Sequence, residues 1–355
     1  MFCCKEQMPF PNLARMNSEQ MPATASVHAP GAEVAYTLNA KHGFYIRDKR
    51  LVYTDCTGDE APIQLEFVRL DDYPMLVPPS KSPSSQVYVI QNDIAELIQA
   101  RTGLFVIASQ FNSVEYRNSQ TPVRHVQEYM RDRTAGPIAQ MAADPGLAQC
   151  LLDMAWNGKL NSIPFVDDFQ GIFELLNGYL FAYPPDDPEV QQSVIERFEQ
   201  ELSKTRVTVS SNVPACGYAN GRMHSGDHSH RVHLAYCSAM PYDYRETSYG
   251  GYGSQPMNSG AFCERICKLI LRAQYAAAFR YAIDNNVEHI YLTLLGGGVF
   301  NNKPEWIVDA IRDVIENARL YHSQRSEATT FPLVYVNTYR DDEFRFVQSA
   351  LGSLL

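Results

Sequence analysis

The chain has 355 residues, 45% apolar and 20% charged, and its 30 Lys and Arg face 40 Asp and Glu for a formal net charge of -10. This is globular composition at a length that suits one large α/β domain with a smaller attachment. The acidic balance argues against a nucleic-acid partner, which needs a basic stripe, and no uninterrupted apolar run reaches the roughly 18 residues of a membrane span.

In chain order, residues 1–34 read as a disordered leader, rich in Pro and without the apolar centre of a secretory signal. Short alternating pieces at 35–38, 43–46, 51–54 and 64–68 predict a small antiparallel sheet. A Pro/Ser-rich stretch from Tyr73 to Pro83 closes this β-rich extension, so 35–83 stands apart from a main domain over 84–355. There the spacing predicts a helix at 92–101, stopped by Gly103, and a buried strand at 104–108. Helices at 122–131, 137–156, 167–183 and 188–204 follow, then strands at 207–209 and 232–236. A long helix at 263–285, a strand at 289–295, a helix at 304–321 and a strand at 332–336 complete the pattern. Such alternation predicts a layered α/β/α domain around a parallel or mixed sheet. Eight cysteines spread over the chain, Cys3, Cys4, Cys56, Cys150, Cys216, Cys237, Cys263 and Cys267, suit a reducing, cytosol-like compartment rather than a disulfide scaffold. Acylation at Cys3 and Cys4 lacks a second membrane signal, and Cys263 and Cys267 read as helix packing.

Four loops carry chemistry where a strand ends or a helix opens. The sharpest is Leu294-Leu295-Gly296-Gly297-Gly298-Val299-Phe300-Asn301-Asn302, after a strand and before a helix opening at Pro304. Consecutive glycines let backbone N–H groups approach phosphate oxygens. The segment has neither the Gly-Lys-Ser/Thr of a P-loop nor the Gly-x-Gly-x-x-Gly of a dinucleotide fold. Second, Ser109-Gln110-Phe111-Asn112 with Glu115 brings amides able to read a ribose or a base edge. Third, Asp132-Arg133-Thr134-Ala135-Gly136-Pro137-Ile138 opens a helix. Fourth, Tyr236-Cys237-Ser238-Ala239 leaves room at a strand end. Each alone also reads as an ordinary turn or core packing; the informative property is that all can meet on one rim of a sheet.

Taken together, Ala108-Ser109-Gln110-Phe111-Asn112 with Glu115, Tyr129-x-x-Asp132-x-Thr134-x-Gly136-Pro137, Tyr236-Cys237-Ser238-Ala239, and Leu295-Gly296-Gly297-Gly298-Val299-Phe300-Asn301 with Trp306 resemble the divergent macrodomain-like ADP-ribosylhydrolases of the Legionella effector MavL type. The resemblance runs from about Ile90 to Tyr339. It implies a macrodomain-like three-layer α/β/α sandwich with a mixed sheet, here carrying the small N-terminal antiparallel β extension. It also implies ADP-ribose as ligand or product, with no cofactor required. By that likeness Gly296, Gly297, Gly298, Val299, Phe300 and Asn301 wrap the diphosphate and distal ribose. Gln110 and Asn112 sit near the proximal ribose, and Gly136 and Ile138 line a second phosphate loop. Asp132, Ser238 and Ala239 complete the expected binding set. The implied partner is an ADP-ribosylated protein, arginine-linked ubiquitin in the first instance, met in the cytoplasm, or in the host cytosol for a secreted effector. The small N-terminal sheet is a candidate for recognising the protein part of that substrate.

Cleavage at an anomeric carbon passes through an oxocarbenium-like state and needs a carboxylate to handle water and stabilise charge. Glu115, Asp132, Asp227 and Asp243 are the candidates. Asp227 and Asp243 flank the 236–239 strand end and form the leading pair, with Glu115 the third catalytic candidate. An ADP-ribose-binding module without turnover is the alternative. A further reading uses His224, His228, His230 and His233 with Asp227 as a metal site. Their loop-like surroundings fix no ligand geometry, and no metal is assigned. The acidic net charge is compatible with an anionic ligand held by backbone amides.

Overall fold

The computed structural model describes residues 65–70, 86–215, 217, 230–243, 258–325, 330–352 and 354, and the backbone of the strand residues at 32–38, 42–47, 50–55, 63–64, 218–219 and 222–223. Its elements are β1 (Ala32–Leu38), β2 (His42–Arg47), β3 (Arg50–Asp55), β4 (Ile63–Arg69), β5 (Val87–Gln91), α1 (Ile94–Ala100), β6 (Leu104–Ser109), α2 (Ala135–Ala143), α3 (Pro145–Trp156), β7 (Phe173–Leu176), β8 (Tyr179–Ala182), α4 (Pro188–Glu201), β9 (Arg206–Pro214), β10 (Tyr218–Ala219), β11 (Arg222–Met223), β12 (Arg231–Ser238), α5 (Gly260–Asp284), β13 (His289–Leu292), α6 (Pro304–Arg325), β14 (Leu333–Thr338) and α7 (Asp341–Ala350). Eight strands make one sheet in the order β1-β4-β9-β12-β6-β13-β14-β5. From β12 to β5 every neighbour pairs parallel; β9, β4 and β1 continue the sheet antiparallel.

Strand residues alternate between two apolar layers, as period-2 side chains must when both faces are covered. Leu104, Val106, Ala235 and Cys237 pack towards α4, α5, α6 and α7. Phe105, Ile107, Leu234 and Tyr236 pack towards α1, α2 and α3. The chain is therefore a three-layer α/β/α sandwich with a mixed sheet. Helix α5, 25 residues long, is buried on nearly all sides, as a core helix beneath the sheet must be. Among the described residues no helix is long and apolar enough to cross a membrane.

Several expectations change. The four N-terminal strands do not form a sheet of their own: β4 and β1 join the edge of the main sheet beside β9, while β2 pairs with β3 alone. The helix expected at 167–183 is a short 3-10 turn followed by the β7–β8 hairpin. Asn177 and Gly178, with φ of 50° and 85°, make the left-handed two-residue turn that a hairpin demands. The single helix expected at 137–156 is two. Asp144 ends α2 and caps α3, accepting the Gly146 and Leu147 amides at 2.7 and 3.2 Å, with Pro145 opening the second helix. The helix expected at 122–131 is a 3-10 turn over Val126–Arg131.

Candidate functional site

The carboxyl ends of the five parallel strands meet on one rim, and a cleft of about 730 Å³ opens there. Its walls come from Asn92 and Asp93 after β5, Asn337 and Tyr339 at the end of β14, and Thr293, Leu294, Gly297 and Gly298 after β13. Asp132 and Ile138 face it from the α2 side. A second pocket of about 220 Å³ adjoins it and shares Ala135, Thr293, Leu294 and Gly298 with the first. Glu115, Ala108, Cys237, Ala239, Gly296, Val299 and Phe300 line it. The two form one continuous depression.

The glycine turn owes its shape to a buried tyrosine. Tyr275 on α5 donates its hydroxyl to the Thr293 carbonyl at 2.7 Å and accepts the Leu295 amide at 3.0 Å. This ends β13 at Leu292, short of the expected 295, and turns the chain across the rim. Gly296, at φ +70°, has no room for a Cβ, which would lie 2.7 Å from the Ala239 Cβ. The Gly297 amide bonds the Leu294 carbonyl and the Asn301 amide the Gly298 carbonyl, at 3.2 and 3.0 Å. Among the described residues the Gly298 and Val299 amides have no partner, which leaves them for an anionic ligand.

Glu115 faces this turn. Its own amide bonds the Tyr129 hydroxyl oxygen at 2.9 Å, and its Oε2 accepts the Gly136 amide at 3.2 Å. Gly136 is the second residue of α2, and a Cβ there would overlap both the Ala108 carbonyl and the Glu115 carboxyl. Burial, then repulsion from Asp132, push the Glu115 carboxyl up to about 7. The Gly136 amide and a contact with the Thr134 hydroxyl offset that rise only in part. A carboxyl so poised can deliver and recover a proton near neutrality.

The other expected residues divide. Gly296, Gly297, Gly298, Val299, Phe300, Ala239, Asp132 and Ile138 line the two cavities with Glu115. Gly136 supplies the amide described above, and Asn301, at φ 54°, closes the glycine turn. Gln110 turns inward: its amide takes the Tyr116 carbonyl at 2.8 Å and the Tyr116 amide at 2.9 Å, which uses both ends on the chain itself. Asn112 is buried beneath Gly178 of the β7–β8 turn, outside both linings. Ser238 is buried too, its amide bonded to Gln274 Oε1 at 2.9 Å. Asp243 is exposed and lies outside both linings, while Asp227 falls outside the described residues. Of the histidines, His224 and His228 also fall outside them. His230 lies 2.9 Å from the Ile98 carbonyl on the α1 side, and His233 lies 3.1 Å from the Tyr281 hydroxyl on the α5 side, so these two point to opposite faces of the sheet. Among the described residues no group of three or more His, Cys, Asp or Glu is placed to hold a metal ion.

Sequence reasoning missed Asn92, Asp93, Asn337, Tyr339 and Glu343. Asn337 clasps Asn92 through paired hydrogen bonds of 3.1 Å, which ties the ends of β14 and β5 together. The available signal was position, since each of these residues lies at or just past the end of a strand or at a helix start.

The sequence matches no protein-family model and no curated protein. Among solved structures, the poly(ADP-ribose) glycohydrolase from Thermomonospora curvata overlaps 88% of this chain and 94% of its own at TM-score 0.43 and 11% identity. A mutant of the Deinococcus radiodurans poly(ADP-ribose) glycohydrolase, in complex with ADP-ribose, overlaps 77% and 87% at 0.40 and 13%. The Oceanobacillus iheyensis macrodomain overlaps 78% and 97% at 0.38 and 12%. At these scores and identities the likeness says nothing of activity.

Proposed function

We propose that this chain binds ADP-ribose in the rim cleft and hydrolyses the bond joining it to a protein. One observation carries the reading: a half-buried Glu115 carboxyl, raised to about 7, shares a 220 Å³ pocket with a glycine turn that has unpartnered amides. The adjoining 730 Å³ cleft is of a size to take a nucleotide-bearing ligand. In this reading the Gly298 and Val299 amides hold the diphosphate, with Asp132 and Ile138 on the facing wall. Glu115, rather than Asp227 or Asp243, gives its proton to the leaving atom as the electron pair of the anomeric bond departs with that atom. Water then adds to the anomeric carbon and its proton returns to Glu115, which closes the cycle.

The motif resemblance to MavL-type hydrolases supports an ADP-ribosylated protein as substrate, with arginine-linked mono-ADP-ribosylated ubiquitin the first to assay, and a cytosol-like compartment as the place of action. The test incubates the chain with that substrate and measures free ADP-ribose, alongside calorimetry with ADP-ribose itself. Release establishes the hydrolase. Binding without release from this or other linkages makes the chain an ADP-ribose-binding module, and absence of binding removes both readings.

A further inference from the structure

The main sheet has two edges, and they differ. At one end β1 carries a register shift between Val34 and Tyr36 and a charged Glu33. Bulges and charges are the usual means by which a protein blocks an open edge. At the other end β5, Val87-Tyr88-Val89-Ile90-Gln91, pairs with β14 in unbroken register and has neither device. Residues 84–92 hold no charge and no proline, in a chain of net charge -10.

The backbone of β5 points both ways. The Val334 amide bonds the Gln86 carbonyl at 2.7 Å, and the Asn92 amide bonds the Thr338 carbonyl at 3.2 Å. Period-two alternation therefore turns the groups of Gln86, Tyr88, Ile90 and Asn92 onto β14, and those of Val87, Val89 and Gln91 outward. Among the described residues nothing bonds the outward backbone groups. Of the side chains, Val87 and Val89 lie on the α7 side of the sheet, and Ile90 lies on the α1 side with Tyr335. Tyr88 stacks on Tyr335 as the last ring of a row that runs Phe105, Tyr291, Tyr335, Tyr88 across four strands, at centroid spacings of 4.5, 4.8 and 5.3 Å. Phe105 is fully buried and Tyr88 is 46% exposed, so the row ends in solvent at the bare edge.

We propose that β5 pairs antiparallel with β5 of a second copy of this chain, about a two-fold axis at Val89. The strand is complementary to itself in that register. Val89 faces Val89 of the partner subunit, and Val87 faces Gln91 of the partner subunit. These are the residues whose backbone groups point outward, so every outward amide and carbonyl from Val87 to Gln91 finds a partner. A two-fold axis at Tyr88 or Ile90 leaves one of the three beyond the end of the opposite strand. Tyr88 then faces Ile90 of the partner subunit at the closer, non-hydrogen-bonded position, an aromatic-on-branched pair of the kind that stabilises sheets. The uncharged strand lets two acidic copies meet without like charges opposed. The chain's own preceding stretch is a poor ninth strand, because Pro74, Pro78, Pro79 and Pro83 lack the amides it needs. Antiparallel pairing sets the two rims at opposite ends of the joined sheet. It also brings Gln86 of the partner subunit opposite Asn92, a residue of the cleft wall. The pairing goes beyond the function proposed above and does not depend on it.

Sedimentation equilibrium of the full chain tests it, with hydrogen exchange read residue by residue on the same samples. The mass is expected to rise with concentration from 40.1 kDa towards twice that value. The Val87, Val89 and Gln91 amides should exchange freely at high dilution and slow as the mass rises. Val89→Pro removes one outward amide and leaves the bonds to β14 in place. Tyr88→Lys puts a charge on an exposed position of the edge, as natural edges do. Each is expected to weaken association about tenfold or more, with an unchanged far-UV spectrum. If Val89→Pro fails to fold, Tyr88→Lys decides. A wild-type chain that stays at 40.1 kDa at every concentration overturns the proposal, as does a dimer that Tyr88→Lys leaves intact. Outward amides protected in a monomer overturn it too, because a segment of the same chain then covers the edge.

Discussion

The parallel and antiparallel halves of the sheet treat polar groups in opposite ways. From β12 to β5 each parallel strand ends on the same rim, and each contributes to the cleft: Cys237 and Ala239, Ser109, Thr293, Asn337 and Asn92. In the antiparallel half the polar groups close on one another inside the protein. Ser211 on β9 donates to Glu66 on β4 at 3.2 Å, and on β12, the strand shared with the parallel half, His233 at the end away from the rim meets Tyr281 on α5 at 3.1 Å. Parallel strands deliver all their carboxyl ends to one side, where ligands bind in α/β folds. Antiparallel neighbours alternate their ends, and among the described residues β9 and β4 contribute none to either cavity. The same sheet therefore keeps the Glu115 carboxyl open to a pocket at one end and satisfies its polar groups in the core at the other.

The largest expected effect breaks the open side alone. Glu115→Gln keeps the shape and an acceptor for Gly136 but removes the titrating proton. Turnover on an ADP-ribosylated protein is expected to fall about 10²- to 10⁴-fold, the usual share of a general acid, with ADP-ribose affinity within a few-fold of wild type. Release assays and calorimetry on the same samples check it; wild-type turnover would move the chemistry to another carboxylate. Next in size is Gly136→Ala, whose Cβ has the Ala108 carbonyl and the Glu115 carboxyl in its way. A loss of about 1–3 kcal/mol in a denaturant melt is expected from such overpacking. Gly298→Ala, with no atom within 4 Å of the added Cβ, should melt like wild type.

Much of the open side was legible from residue order. The glycine turn, the 132–138 segment and the 236–239 strand end do converge, because each follows or opens an element whose apolar spacing is unmistakable. Glu115 stood behind Asp227 and Asp243 because its merit lies in burial and in the distant Gly136 amide, neither of which spacing reports. Gln110 misled for the complementary reason: an amide suited to a ribose is equally suited to the Tyr116 backbone six residues on in its own loop. Strand β5 and helix α7 went unread, and Glu343 with them; Asn92 was read only as the start of a helix, and Asn337 fell one residue past the expected strand. The β7–β8 hairpin was missed although Asn177-Gly178 is a strong turn signal, since the apolar residues around it also fit a helical stripe.

The open rim and the closed core should also answer pH in opposite senses. Glu115 in the folded chain is raised from 4.5 to about 7, so its burial stabilises most below 4.5 and that contribution is lost as pH rises towards 7. Burial lowers His233 from 6.5 to about 4, so its contribution is present above 6.5 and is lost as pH falls towards 4. Between about 4.5 and 6.5 the slopes oppose. In Glu115→Gln the urea midpoint should therefore climb with pH across that window, and in His233→Gln it should decline, each by an amount worth roughly 1–3 kcal/mol. Identical profiles in the two variants would show that neither group titrates as its surroundings dictate.

The smallest expected effect decides between Glu115 and its nearest described rival. Asp243 follows Tyr242, whose amide bonds the Phe300 carbonyl at 2.8 Å, so it sits behind the glycine turn rather than before it. Its backbone is left-handed at φ 46°, a conformation that asparagine tolerates as well as aspartate, so Asp243→Asn removes the charge without straining the turn. An exposed carboxylate outside both cavities can act on a bound anomeric carbon only through the long-range field, which salt screens within about 10 Å. Turnover of Asp243→Asn at 0.15 M salt is expected within about twofold of wild type. A drop comparable to that of Glu115→Gln would mean that the turn rearranges around bound substrate and carries Asp243 to the front of the pocket, and the open rim would then owe its chemistry to motion of the glycine turn rather than to the fixed placement of Glu115.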